Sequence, residues 1–140
     1  MLKSTAPWFI FLALLGAVFG VFAPSARAAS SLTYTGTLSE SEPYHDYTVS
    51  MYAGDTIAIT LDCAPGSPLD PYLIVYDSNN NELGYDDDSG NPCTNFSGSY
   101  LEFTAPADGE YIIRATDYIY GSSNETTCYG EGELQVLQEG

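Results

Sequence analysis

Basic side chains are nearly absent from this 140-residue sequence, which has three Lys and Arg residues against nineteen Asp and Glu. Lys3 and Arg27 lie near the start, so Arg114 is the only basic side chain in residues 29–140, where nineteen acids and one base give a net charge of −18. Proteins that bind nucleic acid or anionic membrane surfaces need clustered Lys and Arg. The composition therefore excludes both classes of partner.

The first 28 residues have the pattern of a signal peptide. Lys3 supplies a positive charge, residues 8–22 are apolar or glycine, and Ala26-Arg27-Ala28 has the small-x-small pattern of a cleavage site. An uncleaved membrane anchor is the alternative, but the apolar run is shorter than the ~20 residues that a spanning helix needs. We expect residues 1–28 to be removed and residues 29–140 to form one secreted or periplasmic domain, with no membrane contact after cleavage.

Helical periodicity is missing from residues 29–140, where apolar and polar residues alternate between turn signals. This pattern is typical of an antiparallel β-sandwich. The predicted strands are residues 34–38, 45–51, 56–61, 72–76, 82–85, 100–104, 110–116 and 133–137. We predict an all-β, jelly-roll-like sandwich of about eight strands. The alternation also predicts eight core side chains: Ile57, Ile59, Leu73, Val75, Leu101, Phe103, Tyr111 and Ile113.

The direction of successive strands predicts which loops meet. If neighbouring strands run antiparallel, the loops after the third, fifth and seventh strands lie at one end of the sandwich. Four acids, three cysteines and three tyrosines fall in these loops: Asp70, Asp86, Asp87, Asp88, Cys63, Cys93, Cys128, Tyr118, Tyr120 and Tyr129.

The acids at this end have two interpretations. They are either a solvated loop or a cation site, because crowded carboxylates repel one another unless a metal neutralises them. Oxygen ligands close in sequence suit Ca²⁺, although the stretch lacks the order of an EF-hand loop. We predict calcium as the cofactor, bound by Asp70 and by two of Asp86, Asp87 and Asp88, with the third facing water.

The three cysteines predict one disulfide and one thiol left over, as expected of an exported chain. We expect Cys63 to pair with Cys93, because the strand that ends near Cys63 should lie beside the one that starts at Tyr100. With a single histidine, the cysteine spacing matches no zinc site.

The tyrosines Tyr118, Tyr120 and Tyr129 are interpreted either as packing at the rim of the sandwich or as a ligand surface. Tyrosine suits binding because its ring is stiff and amphipathic.

Candidates for catalysis are poor. His45 and Asp46 are neighbours on a strand, so their side chains point to opposite faces. The strand layout also places His45 at the end opposite the cysteines, which leaves no Cys–His pair. We therefore expect no enzymatic activity.

Six short motifs follow one another through residues 36–111. They are Gly36-Thr37-Leu38, Asp46-Tyr47 (one residue from its usual spacing), Ala53-Gly54-Asp55, Asp70-Pro71-Tyr72-Leu73, Asp86-Asp87-Asp88, and the stretch from Phe103 to Tyr111. Together they resemble the bacterial pre-peptidase C-terminal domain. The resemblance implies a jelly-roll-like, non-catalytic domain of the kind carried by secreted proteases. It also implies a relation to the collagen-binding domains of clostridial collagenases, which bind calcium and a fibrous substrate.

We expect a secreted, non-catalytic accessory or binding module, stabilised by calcium, whose partner is an extracellular protein or polysaccharide surface. One alternative is a structural or assembly protein linked through the unpaired cysteine. A second is a small secreted hydrolase or inhibitor.

Overall fold

Eight β-strands make up the part of the chain that the computed structural model describes, residues 29–118 and 129–138. They are β1 Ser30–Thr37, β2 Tyr44–Met51, β3 Thr56–Cys63, β4 Pro71–Asp77, β5 Glu82–Asp86, β6 Ser99–Thr104, β7 Gly109–Asp117 and β8 Glu131–Gln138. All eight predicted strands are confirmed, and β1 begins four residues earlier than expected. No helix within the described ranges is long and apolar enough to cross a membrane.

The strands form two four-stranded sheets with the orders β1-β8-β3-β6 and β2-β7-β4-β5, and all neighbouring pairs are antiparallel. Only β4 and β5 follow each other within one sheet, whereas every other connection crosses between the sheets. Eight strands connected in this way form a jelly roll. The predicted antiparallel, jelly-roll-like sandwich is therefore confirmed.

The core lies between the inner faces of the two sheets, and seven of the eight predicted core side chains are buried there. The exception is Leu101, which is only partly buried although it packs against the core. Its strand β6 is at the edge of its sheet, and the facing position on β5 is Gly84, which has no side chain to cover Leu101. Leu101 was predicted to be mostly buried, and it does pack against the core, but it is only partly buried.

One end of the sandwich is closed by tight turns, and we call it the turn end. The turn between β4 and β5 passes through Asn80, whose φ of 61° lies in the left-handed region that Asn tolerates. The Asp77 carboxylate accepts hydrogen bonds from the backbone amides of Asn79 and Asn81 at 2.8 and 2.9 Å. Local side-chain to backbone bonds therefore fix this turn without help from distant residues.

Candidate functional site

Three carboxylates meet at the end of the sandwich opposite the turn end. Side-chain oxygens of Asp70, Asp87 and Asp88 lie within 4.8 Å of one another, and we call these residues the carboxylate cluster. Asp70 directly precedes β4, whereas Asp87 and Asp88 directly follow β5, the strand paired with β4. The structure therefore brings Asp70 together with two of the three consecutive aspartates, as expected.

The fourth acid, Asp86, has a different role. Its Oδ2 accepts hydrogen bonds from the backbone amides of Ser89, at 3.1 Å, and Tyr100, at 2.8 Å. Successive side chains of an extended segment alternate in direction, so Asp86 points toward β6 while Asp87 does not. The expectation that the third aspartate faces water was wrong, because this carboxylate ties the loop after β5 to β6.

Asp70 is mostly buried as a residue, but its unpartnered carboxylate oxygens still reach solvent. Only 7% of the residue is exposed, yet none of the residues within 29–118 and 129–138 donates a hydrogen bond to its carboxylate or pairs with it. The carboxylates of Asp87 and Asp88 likewise accept no hydrogen bond from these residues. The cluster therefore has uncompensated negative charge.

Two buried residues that sequence reasoning missed fix the backbone around the cluster. The Ser99 hydroxyl, which is fully buried, lies 2.7 Å from the carbonyl oxygen of Pro71 and 2.8 Å from that of Asp87. Asp117, also fully buried, accepts a hydrogen bond from the backbone amide of Asp70 at 3.4 Å. Both depend on which strands are neighbours, and alternation along a single strand does not reveal that.

The protonation of the cluster reflects this crowding. Burial, followed by the charges of Asp87, Asp117 and Asp88, raises the pKa of Asp70 to about 6. Burial, followed by the charges of Asp88 and Asp86, raises the pKa of Asp87 to about 6 as well. A carboxyl whose pKa rises in this way is one whose charged form is poorly compensated.

A disulfide joins Cys63, at the end of β3, to Cys93, in the loop after β5, with a Cα–Cα distance of 5.9 Å. It is the pair predicted from the expected neighbourhood of β3 and β6, and these two strands are indeed paired. The disulfide fastens the loop that begins with the cluster to the opposite sheet. Cys128 lies outside the described residues.

His45 lies at the same end as the disulfide, so the prediction that it lies at the opposite end was wrong. β2 begins at the end where β3 finishes, because the two strands run in opposite directions across the sandwich, and His45 is the second residue of β2. Its Nε2 is 3.3 Å from the carbonyl oxygen of Thr37. Cys63 and Cys93 are oxidised, so neither offers a thiol to this ring.

A group of tyrosines covers the outer face of the β2-β7-β4-β5 sheet, and we call Tyr44, Tyr72, Tyr76, Tyr85 and Tyr118 the tyrosine face. The Tyr72 ring stacks on Tyr85 with centroids 5.8 Å apart and meets Tyr118 edge-on at 5.7 Å. Tyr118 was predicted as a ligand-surface residue, but the other four were missed. The signal that could have revealed the face was the pair Tyr72 and Tyr76, four residues apart and so on one face of β4, with Tyr85 in the next strand.

Arg114 lies in the middle of the tyrosine face. Its guanidinium forms two hydrogen bonds of 2.7 Å with the carboxylate of Asp46, on the neighbouring strand. It also lies 3.9 Å from the ring centroid of Tyr44 and 5.1 Å from that of Tyr76. The face therefore already holds one cation between aromatic rings.

A second predicted ligand-surface tyrosine, Tyr129, does not join this group. Tyr129 lies in the segment before β8, which belongs to the other sheet, and the described rings of the tyrosine face make no contact with it. Tyr120 lies outside the described residues.

Comparisons with known proteins agree with this architecture. Two solved structures have similar folds. The pre-peptidase C-terminal domain of collagenase from Bacillus anthracis is 20% identical, with a TM-score of 0.55 over 76% of this chain and 88% of its own. PliG from Aeromonas hydrophila, a periplasmic lysozyme inhibitor of g-type lysozyme, is 17% identical, with a TM-score of 0.54 over 84% of this chain and 91% of its own. At these identities the likeness shows the fold alone.

No curated protein matches the sequence. The family model of the bacterial pre-peptidase C-terminal domain does match, over residues 43–117, from just before β2 to the end of β7. This match covers more than half of the chain, and it includes the cluster, the disulfide and most of the tyrosine face. The protein belongs to the bacterial pre-peptidase C-terminal domain family.

Proposed function

We propose that the protein is an exported, non-catalytic module that binds a basic extracellular protein through the tyrosine face. The observation that carries this proposal is the tyrosine face itself. Tyr72 contacts Tyr85 and Tyr118 there, and the Arg114 guanidinium lies against the rings of Tyr44 and Tyr76. Tyrosine is enriched at binding hot spots because its ring supplies a large contact area with little rotamer freedom to lose.

The rings are accessible to a partner. Tyr85 is 58% exposed, Tyr118 is 39% exposed and Tyr44 is 38% exposed. Contiguous apolar surface of this kind on a soluble protein marks an interaction site more often than scattered single residues do. Because Tyr72 stacks between Tyr85 and Tyr118, a partner would meet a preformed surface rather than order it on binding.

Charge favours a basic partner. Residues 29–140 contain nineteen acids and only Arg114 as a base. Glu82 and Asp87 lie close enough to Tyr72 to contribute to raising the pKa of that phenol, after the larger effect of burial. A Lys or Arg side chain of a partner would meet both negative potential and ring faces, as the Arg114 guanidinium already does.

Two further observations support the parts of the proposal that concern export and the lack of catalysis. The disulfide between Cys63 and Cys93 is of the kind that persists in oxidising compartments. Family membership fits an accessory domain rather than an enzyme. The alternative of an assembly protein rests on Cys128, and a disulfide-linked dimer on a non-reducing gel would support it.

The test is calorimetric titration of the protein with a nona-arginine peptide at low salt. We expect binding that weakens about tenfold or more in Tyr85→Ser, since truncation of an aromatic hot spot typically costs ~2 kcal/mol. Tyr52→Ser is the matched control, because Tyr52 is 64% exposed but lies at the turn end, away from the tyrosine face. Binding of the Tyr52 variant should equal that of the wild type.

Two outcomes would contradict the proposal. Equal losses at Tyr85 and Tyr52 would mean that the peptide responds to net charge alone. Binding of a neutral β-glucan through Tyr85, without binding of the arginine peptide, would make the partner a polysaccharide.

A further inference from the structure

β1 is an edge strand that the described part of the chain leaves uncovered. It pairs with β8 on one side only, and seven of its eight residues are exposed. Soluble proteins normally protect edge strands against pairing with other chains by charged side chains, proline or a bulge. Each of the other three edge strands carries an acid, such as Asp46 in β2, Glu82 in β5 and Glu102 in β6. β1 has no charge and no proline, and it stays in register with β8 over its whole length.

The ladder between β1 and β8 shows which backbone groups face the open edge. The amide of Leu38 donates to the carbonyl of Gly130 at 2.9 Å, in the position that continues the register of the two strands. Hydrogen-bonded positions alternate in an antiparallel pair, so the even-numbered residues of β1 bond to β8 and the odd-numbered residues point away from it. Within the described residues no partner bonds the outward amides and carbonyls of Ser31, Thr33 and Thr35.

Two apolar side chains of β1 are also incompletely covered. Leu32 and Tyr34 lie opposite Val136 and Leu134, which are buried in the core, so both belong to the inner face of their sheet. Leu32 is nevertheless 46% exposed. Tyr34 is only partly buried, although its ring contacts that of Tyr47. A further strand at this edge would cover both side chains.

The distribution of charge identifies a second copy of this chain as the occupant. Residues 29–39 contain no acid, whereas all nineteen acids lie in residues 40–140. Two molecules this acidic repel each other over most of their surfaces, and they approach most easily where no like charges come opposite each other. A basic partner, in contrast, would find no charge to bind in β1 and would be drawn to the acidic surface elsewhere.

One register satisfies both the backbone and the side chains. When Thr33 lies opposite the second copy's Thr33, Ser31 of each copy lies opposite Thr35 of the other. These are the positions whose backbone groups point outward, so each pair exchanges its hydrogen bonds. Leu32 of one copy then lies opposite Tyr34 of the other, at the positions where cross-strand side chains come closest. The strand is therefore complementary to itself.

We propose that two copies of the protein dimerise through β1, as an antiparallel strand pair with Thr33 on the two-fold axis. The two β1-β8-β3-β6 sheets become one continuous sheet, and the interface is isologous. The tyrosine face lies on the other sheet, so the pairing does not depend on what that face binds. The axis is perpendicular to the sheets, which puts both tyrosine faces on one side of the dimer. If the proposed function holds, a partner with several basic sites would bind both faces at once.

The test is sedimentation equilibrium of the exported protein from about 5 to about 500 µM, a range that suits a small interface. Every sample carries Cys128→Ser, so that no disulfide links two chains. We expect a monomer–dimer equilibrium that strengthens at least about threefold between about 0.05 and about 0.5 M salt, because salt screens the repulsion between the two acidic chains. Hydrogen exchange should show that the amides of Ser31, Thr33 and Thr35 gain protection as the concentration rises. The even-numbered amides of β1, which already bond to β8, should change little.

Charges placed on the axis test the pairing directly. Thr33→Lys should weaken the dimer at least about tenfold, because the introduced ammonium group meets its own copy although the net charge of the chain falls. Thr33→Glu should weaken the dimer as well, and an equimolar mixture of the two variants should form a heterodimer. Ser78→Lys is the matched control, since Ser78 is exposed in the turn between β4 and β5, away from β1. It should not weaken the dimer.

The inference is overturned if the protein stays monomeric at about 500 µM in high salt. It is also overturned if Thr33→Lys and Ser78→Lys act alike, or if the two Thr33 variants do not associate when mixed. A monomer whose outward β1 amides are protected at every concentration would mean that the chain itself covers this edge. A monomer that binds an extended threonine-rich peptide instead would make β1 a docking strand for a different protein. If Thr33→Lys does not fold, Thr33→Glu and the hydrogen exchange of the wild type decide the question.

Discussion

The two ends of the sandwich use their aspartates in opposite ways. At the turn end, Asp55 accepts a hydrogen bond from the amide of Tyr52 at 2.9 Å, and Asp108 accepts one from the amide of Ala53 at 2.8 Å. At the other end, the carboxylates of the cluster face one another, with no donor among the described residues. Aspartate therefore stabilises the fold at the turn end, whereas within the carboxylate cluster it opposes the fold, although Asp86 and Asp117 beside the cluster do accept backbone hydrogen bonds.

The two ends differ in whether hydrogen bonds within the chain compensate the charge of their carboxylates. Carboxylates that accept backbone hydrogen bonds compensate their charge locally, so the turn end is complete within the chain. The cluster end is instead held by a disulfide and by the buried hydroxyl of Ser99. Stability at this end should depend on redox state and should fall as the pH rises. At the turn end, the hydrogen bonds from Asn81 and Asn79 lower the pKa of Asp77, so stability there should fall as the pH drops.

The largest effect is expected from the disulfide. Replacing both Cys63 and Cys93 by Ser opens a cross-link between residues 30 apart in sequence. In the chain-entropy model this lowers the free energy of unfolding by ~3–4 kcal/mol. Denaturant unfolding of the double variant measures the loss, and hydrogen exchange should show that amides at the cluster end lose protection first. Equal loss of amide protection at both ends would contradict the proposed difference between them.

A smaller effect is expected at the turn end. Asp55→Ala removes the acceptor for the Tyr52 amide and for Nε2 of Gln138, and should lower the free energy of unfolding by ~1–2 kcal/mol. The loss should be the same in calcium and in chelator. Asp88→Ala, the matched change at the cluster, should not destabilise the protein in chelator. A loss of similar size in Asp88→Ala would show that both ends use their carboxylates alike.

The fold was predictable from the sequence because its signals are local. Alternation placed Ile57, Ile59 and Leu73 in the core, and alternating strand direction brought Asp70 beside Asp87 and Asp88. The same rule predicted the disulfide. These conclusions need only the faces of single strands and the ends at which loops emerge.

What the sequence did not predict depends on strand order across the sheet. Tyr44, Tyr72 and Tyr85 come from different strands and become one surface only in the order β2-β7-β4-β5. Asp117 supports Asp70 because β7 ends beside the start of β4. The direction of Asp86 depends on the hydrogen bond that β6 offers it through Tyr100.

The smallest expected effect is a loss of stability with rising pH, confined to the cluster end. The pKa of Asp70 and that of Asp87 are each raised from 3.8 to about 6 in the folded protein, by burial and then by neighbouring carboxylates. The folded state therefore binds protons more tightly than the unfolded state does. The stability that this provides is fully present below pH ~4 and is lost as the pH rises through about 6.

The measurement is the Tm of the wild type and of Asp70→Asn in chelator, from pH 4 to pH 7. Because other groups titrate in both proteins, the informative quantity is the difference between the two melting temperatures. The wild type should lose about 2–4 °C more than the variant, a small change because coupled carboxylates can share one proton and so relieve much of their repulsion. Parallel curves would mean that the charges of the cluster are screened by water. In that case the contrast between the two ends would be one of hydrogen bonding alone.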